Sequence, residues 1–139
     1  MLDEKLKKAY LSTTYKLVEH ADVALRVGQK NQSLEKLYKD FQVFSGAFVT
    51  AWNPYSRALS KNENHGLNQE LHKWINARGL ICFRGIGVGD DNNWPGEESY
   101  LILGLSREEA EELGKLFKQN AVIWVGQSTV PELLVCLDC

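Results

Sequence analysis

The sequence has no apolar run long enough to cross a membrane and no apolar core near its N-terminus. The longest apolar runs, such as Ala121–Val125, are as long as a strand, whereas a membrane-spanning helix needs about 20 apolar residues. Residues 1–8 are rich in charged side chains, where a signal peptide needs a continuous apolar segment. We therefore expect a soluble, cytoplasmic protein without a membrane partner.

The chain also lacks an excess of charge of either sign. It has 16 Lys and Arg against 18 Asp and Glu, which gives a net charge of −2. Proteins that bind nucleic acid usually carry a basic surface that neutralises phosphates, so a nucleic-acid partner is not expected. A chain of 139 residues, 44% of them apolar, can bury one substantial core and is short for two. We expect a single domain over residues 1–139.

Cysteine is scarce, and its three residues do not resemble a secreted disulfide framework. Cys82 lies in an apolar segment and is expected to be a small core residue. Cys136 and Cys139 have C-x-x-C spacing, but no helix follows to stabilise a thiolate. Zinc would need a second pair of ligands, which the sequence does not offer. We expect three free thiols and no zinc.

Apolar periodicity predicts strands alternating with helices. Two capping boxes, which begin at Ser60 and Ser106, mark helices that run to about Arg78 and Phe117. Helices are also predicted near residues 2–10 and 34–41. Strands are predicted at 15–18, 23–27, 44–52, 80–83, 100–103, 121–125 and 133–137. The fold class is therefore α/β (α+β), with helices packed on a mixed sheet of about six strands.

Two strand–helix–strand units follow from this order, and each should place its two strands parallel. The glycine-rich segment 85–98 contains no predicted helix, so it should join antiparallel neighbours. On this topology Asn53, Arg84, Trp94 and Asn120 all lie at one end of the sheet, where ligands of open α/β sheets bind.

Asn64 and Asn68 lie on the inward stripe of the helix that begins after Ser60, near Asn53. Buried amides need hydrogen-bond partners. In one interpretation both side chains bond to the main chain of the loop after Asn53. In the other they face a ligand cavity filled with water. We expect Asn68→Ala to be the milder of the two alanine substitutions, because Asn68 is farther from the loop.

The segment 85–98 offers other candidates. Its glycines do not precede a helix, so a phosphate-binding loop is rejected in favour of a flexible flap. Trp94 could either plug the core or stack on a ligand. Acidic residues could bind a cation, but their spacing matches no EF-hand and no metal is expected. They are Asp90, Asp91, Glu97 and Glu98.

Catalytic motifs are absent. His65 and His72 are seven residues apart, not at the i, i+4 spacing of a zinc protease helix, and neither has an evident carboxylate partner. Ser56 is not flanked by the glycines of a nucleophile elbow, so a catalytic triad is not expected.

Five ordered motifs stand out along the chain. They are 50–56, the helix residues Glu63, Asn64 and Asn68, Trp94-Pro95-x-Glu97-x-Ser99, 104–110 and 119–124. Together they resemble a bacterial family of small proteins known as a domain of unknown function, number three-two-nine-three. The resemblance extends from about Tyr10 to the C-terminus and implies a bacterial, cytoplasmic, single-domain protein without a known activity.

Two hypotheses of function follow. The first is a small-molecule-binding domain with a polar site, in which the arginines suit an anionic ligand. The second is a protein-interaction or regulatory module anchored by the loop aromatics Tyr55 and Trp94. The sequence indicates neither a cofactor nor a reaction. The candidate ligand-binding residues are Asn53, Ser56, Arg57, Asn64, Asn68, Arg84, Trp94 and Glu97.

Overall fold

The computed structural model describes residues 2–89 and 96–136. Within these residues it has four helices and seven strands. The helices are α1 (Glu4–Leu11), α2 (Gln32–Phe41), α3 (Lys61–Ala77) and α4 (Arg107–Leu116). The strands are β1 (Thr14–Leu17), β2 (Ala24–Leu25), β3 (Gly46–Val49), β4 (Cys82–Val88), β5 (Glu97–Leu103), β6 (Ala121–Val125) and β7 (Pro131–Val135). None of the helices in the described residues is long and apolar enough to cross a membrane.

The strands form one sheet in the order β2-β1-β4-β5-β3-β6-β7, and every neighbouring pair of described strands is antiparallel. The α+β class is confirmed, while the expected mixed sheet is corrected. β3 and β4 do run in the same direction, but β5 lies between them, and β3 likewise separates β5 from β6. Strands β3 to β6 with α3 and α4 thus form a βαββαβ unit, the ferredoxin-like or split βαβ arrangement.

The described part of the predicted flap, residues 85–89 and 96–98, is mostly strand. β4 continues to Val88, and Gly85 pairs with Leu17 on β1 and with Ser99 on β5. A Cβ atom at Gly85 would lie 2.5 Å from the Phe48 ring and 2.9 Å from the Lys16 carbonyl oxygen. Glycine is therefore required here by close packing within a strand, rather than by a mobile loop.

Helices cover both faces of the sheet. α3 and α4 pack on one face, where Leu71, Ile75 and Leu113 are fully or almost fully buried. α2 packs on the other face, and the sheet curls around it. Backbone bonds join the two edges of the curl: the Gly28 N–H donates to the Pro131 carbonyl at 2.9 Å and the Asn31 N–H to the Thr129 carbonyl at 3.0 Å.

Both predicted capping boxes are confirmed. In α3 the Ser60 hydroxyl accepts from the Glu63 N–H, and the Glu63 carboxylate accepts from the Ser60 N–H. In α4 Ser106 and Glu109 make the same reciprocal pair. The first of these boxes fixes where α3 begins, and so where its two asparagines meet the end of β3.

Candidate functional site

The strand directions place the ends of β3 and β4 and the starts of β5 and β6 at one end of the sheet, called here the site end. Asn53 follows β3, and Asn120 immediately precedes β6. Ser56 connects the two segments, because the Asn120 side-chain amide donates to the Ser56 hydroxyl at 2.8 Å. Two of the four positions expected at this end, Asn53 and Asn120, therefore lie there and are joined through Ser56.

The Asn64 amide bonds to the loop that follows β3. Its oxygen accepts from the Asn53 N–H at 2.8 Å, and its nitrogen donates to the Asn53 side-chain oxygen at 2.8 Å and to the Leu59 carbonyl at 3.4 Å. The Leu59 N–H donates in turn to the Asn53 side chain at 3.0 Å. With only 1% of Asn64 exposed, this reciprocal pair of asparagines ties both ends of the loop to α3.

The Asn68 amide joins α3 to two strands. Its oxygen accepts from the Ala51 N–H at 2.9 Å, and its nitrogen donates to the Glu98 carbonyl at 3.0 Å. The Thr50 hydroxyl donates to the same carbonyl at 2.6 Å. Asn64 thus holds the loop after Asn53, as the structural interpretation expects, whereas Asn68 bonds to main-chain groups outside that loop, at Ala51 and Glu98.

The loop after β3 has an unusual backbone. Asn53, Tyr55 and Ser56 have φ angles of 47°, 52° and 62°, a region that costs non-glycine residues energy. The Tyr55 N–H donates to the Lys118 carbonyl at 2.6 Å, and the Ser56 N–H donates to the Asn53 carbonyl at 2.8 Å. Because these N–H groups are already bonded, the loop does not form an anion-binding nest.

The two candidate arginines differ in their contacts. Arg84 lies within β4, opposite Tyr100, and its guanidinium forms an ion pair with Glu19 at 3.1 Å. The expectation that the strand stops at residue 83 is corrected, because β4 continues to Val88. Arg57 follows Ser56 in the loop after β3 and is exposed.

Glu97 and Glu98 point to opposite faces of the sheet, as successive strand residues must. Glu97, the predicted flap acid, lies on the α2 side near Tyr10 and Tyr15, and burial raises its pKa. Glu98 lies on the α3 side. Asp90, Asp91 and Trp94 lie outside the described residues.

Glu98 and His65 form the pair that the sequence did not reveal. His65 Nδ1 is 3.4 Å from Glu98 Oε2, and the two side chains are 40% and 54% exposed. The Trp52 ring meets the imidazole edge to face, with 5.4 Å between centroids. The expectation that neither helix histidine has a carboxylate partner is thus wrong for His65. Strand alternation puts Glu98 on the α3 face, but only the tertiary structure brings His65 opposite it.

A second aromatic contact lies farther along α3. The His72 ring stacks on Tyr100, with 5.3 Å between centroids and 10° between planes. Burial raises the Tyr100 pKa, nearby Cys82 and Glu98 raise it further, and Arg84 lowers it. The flank of α3 that faces β5 therefore carries imidazole groups beside a carboxylate and a phenol group.

Metal ligands do not converge in the part of the chain that the structure describes, where no group of three or more His, Cys, Asp or Glu side chains could hold an ion. Cys82 and Cys136 are free thiols, and Cys139 lies outside the described residues. Burial raises the Cys136 pKa to about 11, so this thiol is protonated at neutral pH.

Comparison with other proteins identifies a family for this chain through a match to its central part. No curated protein and no solved structure matches it. A family model does match residues 49–122, from the end of β3 through α3 and α4 to the start of β6. These residues contain His65, Glu98 and the buried residues Asn64, Asn68 and Asn120. The chain belongs to the family described as "Protein of unknown function (DUF3293)".

Proposed function

We propose that the protein is a small-molecule-binding domain and that its ligand binds on this flank of α3, against the His65–Glu98 pair. The observation that carries this proposal is the pair itself. It is an imidazole held by a carboxylate at 3.4 Å, still partly open to solvent and bordered by the Trp52 ring.

The chemistry of the pair follows from which imidazole nitrogen faces the carboxylate. Glu98 Oε2 lies 3.4 Å from Nδ1, so the carboxylate favours the neutral tautomer that carries its proton on Nδ1, in which Nε2 keeps its lone pair. Nε2 can then accept a hydrogen bond or a proton from a ligand, as in other carboxylate–histidine pairs. The proposed ligand accordingly offers a hydroxyl, amine or other acidic N–H or O–H group to Nε2.

The buried amides support this site by holding its parts still. Asn68 and Thr50 both bond to the Glu98 carbonyl, and Asn64 fixes the loop that follows Trp52. Side chains in a binding site need such support from neighbouring hydrogen bonds to keep a productive geometry. In this proposal Asn64 and Asn68 are positioning residues and do not touch the ligand.

A fragment screen tests the proposal. The imidazole ¹³Cε1–¹Hε1 signals of the three histidines report on three places: His65 in the proposed site, His72 farther along α3 against Tyr100, and His20 against the Phe83 ring. We expect fragments that carry hydroxyl or amine donors to shift the His65 signal first. Glu98→Gln should weaken this response, and His20→Gln, the matched control, should preserve it. A library without hits, or hits that shift only His20, would refute the proposed site.

The alternative, a protein-interaction or regulatory module, is supported by Tyr55. This side chain is 50% exposed, although its backbone has a φ angle of 52°. An exposed aromatic on a strained loop is suited to anchor a partner. Pull-down of a partner that Tyr55→Ser abolishes and His65→Gln preserves would favour this second function.

We also propose a bacterial, cytoplasmic setting and a single domain over residues 1–139. The resemblance of the motifs supports the setting, and the length and composition support the single domain.

A further inference from the structure

Phe44 and Leu116 are the two most exposed large apolar side chains in the described residues, at 71% and 60%. They belong to surfaces on opposite sides of the sheet. Phe44 follows α2, which packs on one face, and Leu116 ends α4, which packs on the other. Exposed apolar side chains of this size mark interaction surfaces when they lie beside a suitable cavity or charge.

Phe44 borders a cavity of about 380 Å³ whose apolar lining includes Tyr38 and Val43. Lys39 stands at its rim, and a second depression along α2 continues from it past Lys36. The lysines of this surface outnumber its one acid, Glu35, which forms ion pairs with two of them. These pairs are Lys30–Glu35 at 3.8 Å and Lys39–Glu35 at 3.7 Å. The α2 surface thus contains an apolar cavity with a basic rim, on a protein whose net charge is negative.

The α4 surface has the opposite character. Leu116 projects from a helix whose exposed side chains include Glu108, Glu109 and Glu112. Glu112 lies one turn before Leu116, on the same flank of the helix. The α4 surface is thus a protruding apolar side chain beside a row of glutamates. It is complementary in charge and shape to the cavity on the α2 surface.

We propose that the protein associates head to tail with further copies of itself, with Leu116 of one copy in the cavity beside Phe44 of the next. The two surfaces lie on opposite sides of the sheet, so one contact leaves both outer surfaces free to bind again. Such a heterologous contact produces rings or open chains rather than a twofold dimer. The proposal is independent of the ligand site, because neither surface includes His65 or Glu98.

Sedimentation equilibrium of the whole chain tests this proposal. The weight-average mass should rise with concentration beyond that of a dimer. It should fall between about 0.1 M and 1 M salt, since the Debye length shortens from about 10 Å to about 3 Å. Leu116→Ser and Phe44→Ser should each reduce association, with circular dichroism confirming that the variants fold.

Charge exchange makes the test specific. Lys36→Glu with Lys39→Glu should weaken association about tenfold or more, because like charges then meet. Glu108→Lys with Glu112→Lys should do the same, and all four substitutions together should restore association. Lys5→Glu on α1 is the control and should change nothing. A monomer at every concentration would overturn the proposal. So would association that persists in either double charge-reversal variant, or a fourfold variant that does not associate again.

Discussion

Asn68→Ala tests how this end of the sheet is held together. The substitution removes the acceptor of the Ala51 N–H, and Ala51 is only 1% exposed. It also removes one of two donors to the Glu98 carbonyl, which keeps its bond from Thr50. An unpaired buried donor costs about 1–3 kcal/mol, and the retained Thr50 bond places the loss near 2 kcal/mol.

For a domain of this size, 1 kcal/mol corresponds to a shift of about 3–5 °C in Tm, so Asn68→Ala should lower Tm by about 6–10 °C. Differential scanning calorimetry measures this shift. Asn76→Ala is the matched control, since Asn76 is an exposed asparagine on the same helix, and it should change stability by less than about 0.5 kcal/mol.

This expectation reverses the one drawn from the sequence, where Asn68 was the milder site. A Tm for Asn68→Ala within about 1 °C of the wild type would refute the reasoning. It would mean that solvent, rather than the main chain, is the partner of this amide.

Three further outcomes are expected. Gly85→Ala should destabilise the fold by about 1–3 kcal/mol, because its Cβ would overlap the Phe48 ring. Gly66→Ala should stabilise the fold by up to about 1 kcal/mol, because a Cβ there meets open space on a helix. Chemical denaturation compares the two variants. Cys136 holds its proton more tightly in the folded protein, with a pKa raised from 9.0 to about 11, so its contribution to stability is present below pH 9 and is lost as the pH rises through 11. The free energy of unfolding measured between pH 9 and 11 should fall for the wild type, and Cys136→Ala should remove this fall. A difference between the two proteins that stays constant with pH would contradict the expectation. Arg84→Gln should leave the fragment response of His65 unchanged, since the Arg84 guanidinium pairs with Glu19 and not with Glu98; loss of that response would support Arg84 as a ligand residue.

The sequence predicted the features that depend on neighbouring residues. Both capping boxes form as expected, because Ser60 and Glu63, like Ser106 and Glu109, interact within a single helical turn. The period of 3.6 residues also placed Asn64 and Asn68 on the inward stripe of α3, where they are 1% and 4% exposed. Local spacing is sufficient for these features because it fixes which side chains share one face of a helix.

The tertiary structure decided which strands are neighbours and which side chains meet. Insertion of β5 between β3 and β4 makes the sheet antiparallel, and the pattern of the separate strands does not specify that order. The same pairing aligns β5 so that Glu98, and not Glu97, faces α3 and meets His65. Such contacts join residues far apart in the chain, and a shift of one residue in strand register reverses every side chain. Hydrophobic patterning could therefore locate the site end, while register and packing determined which side chains meet in the candidate site.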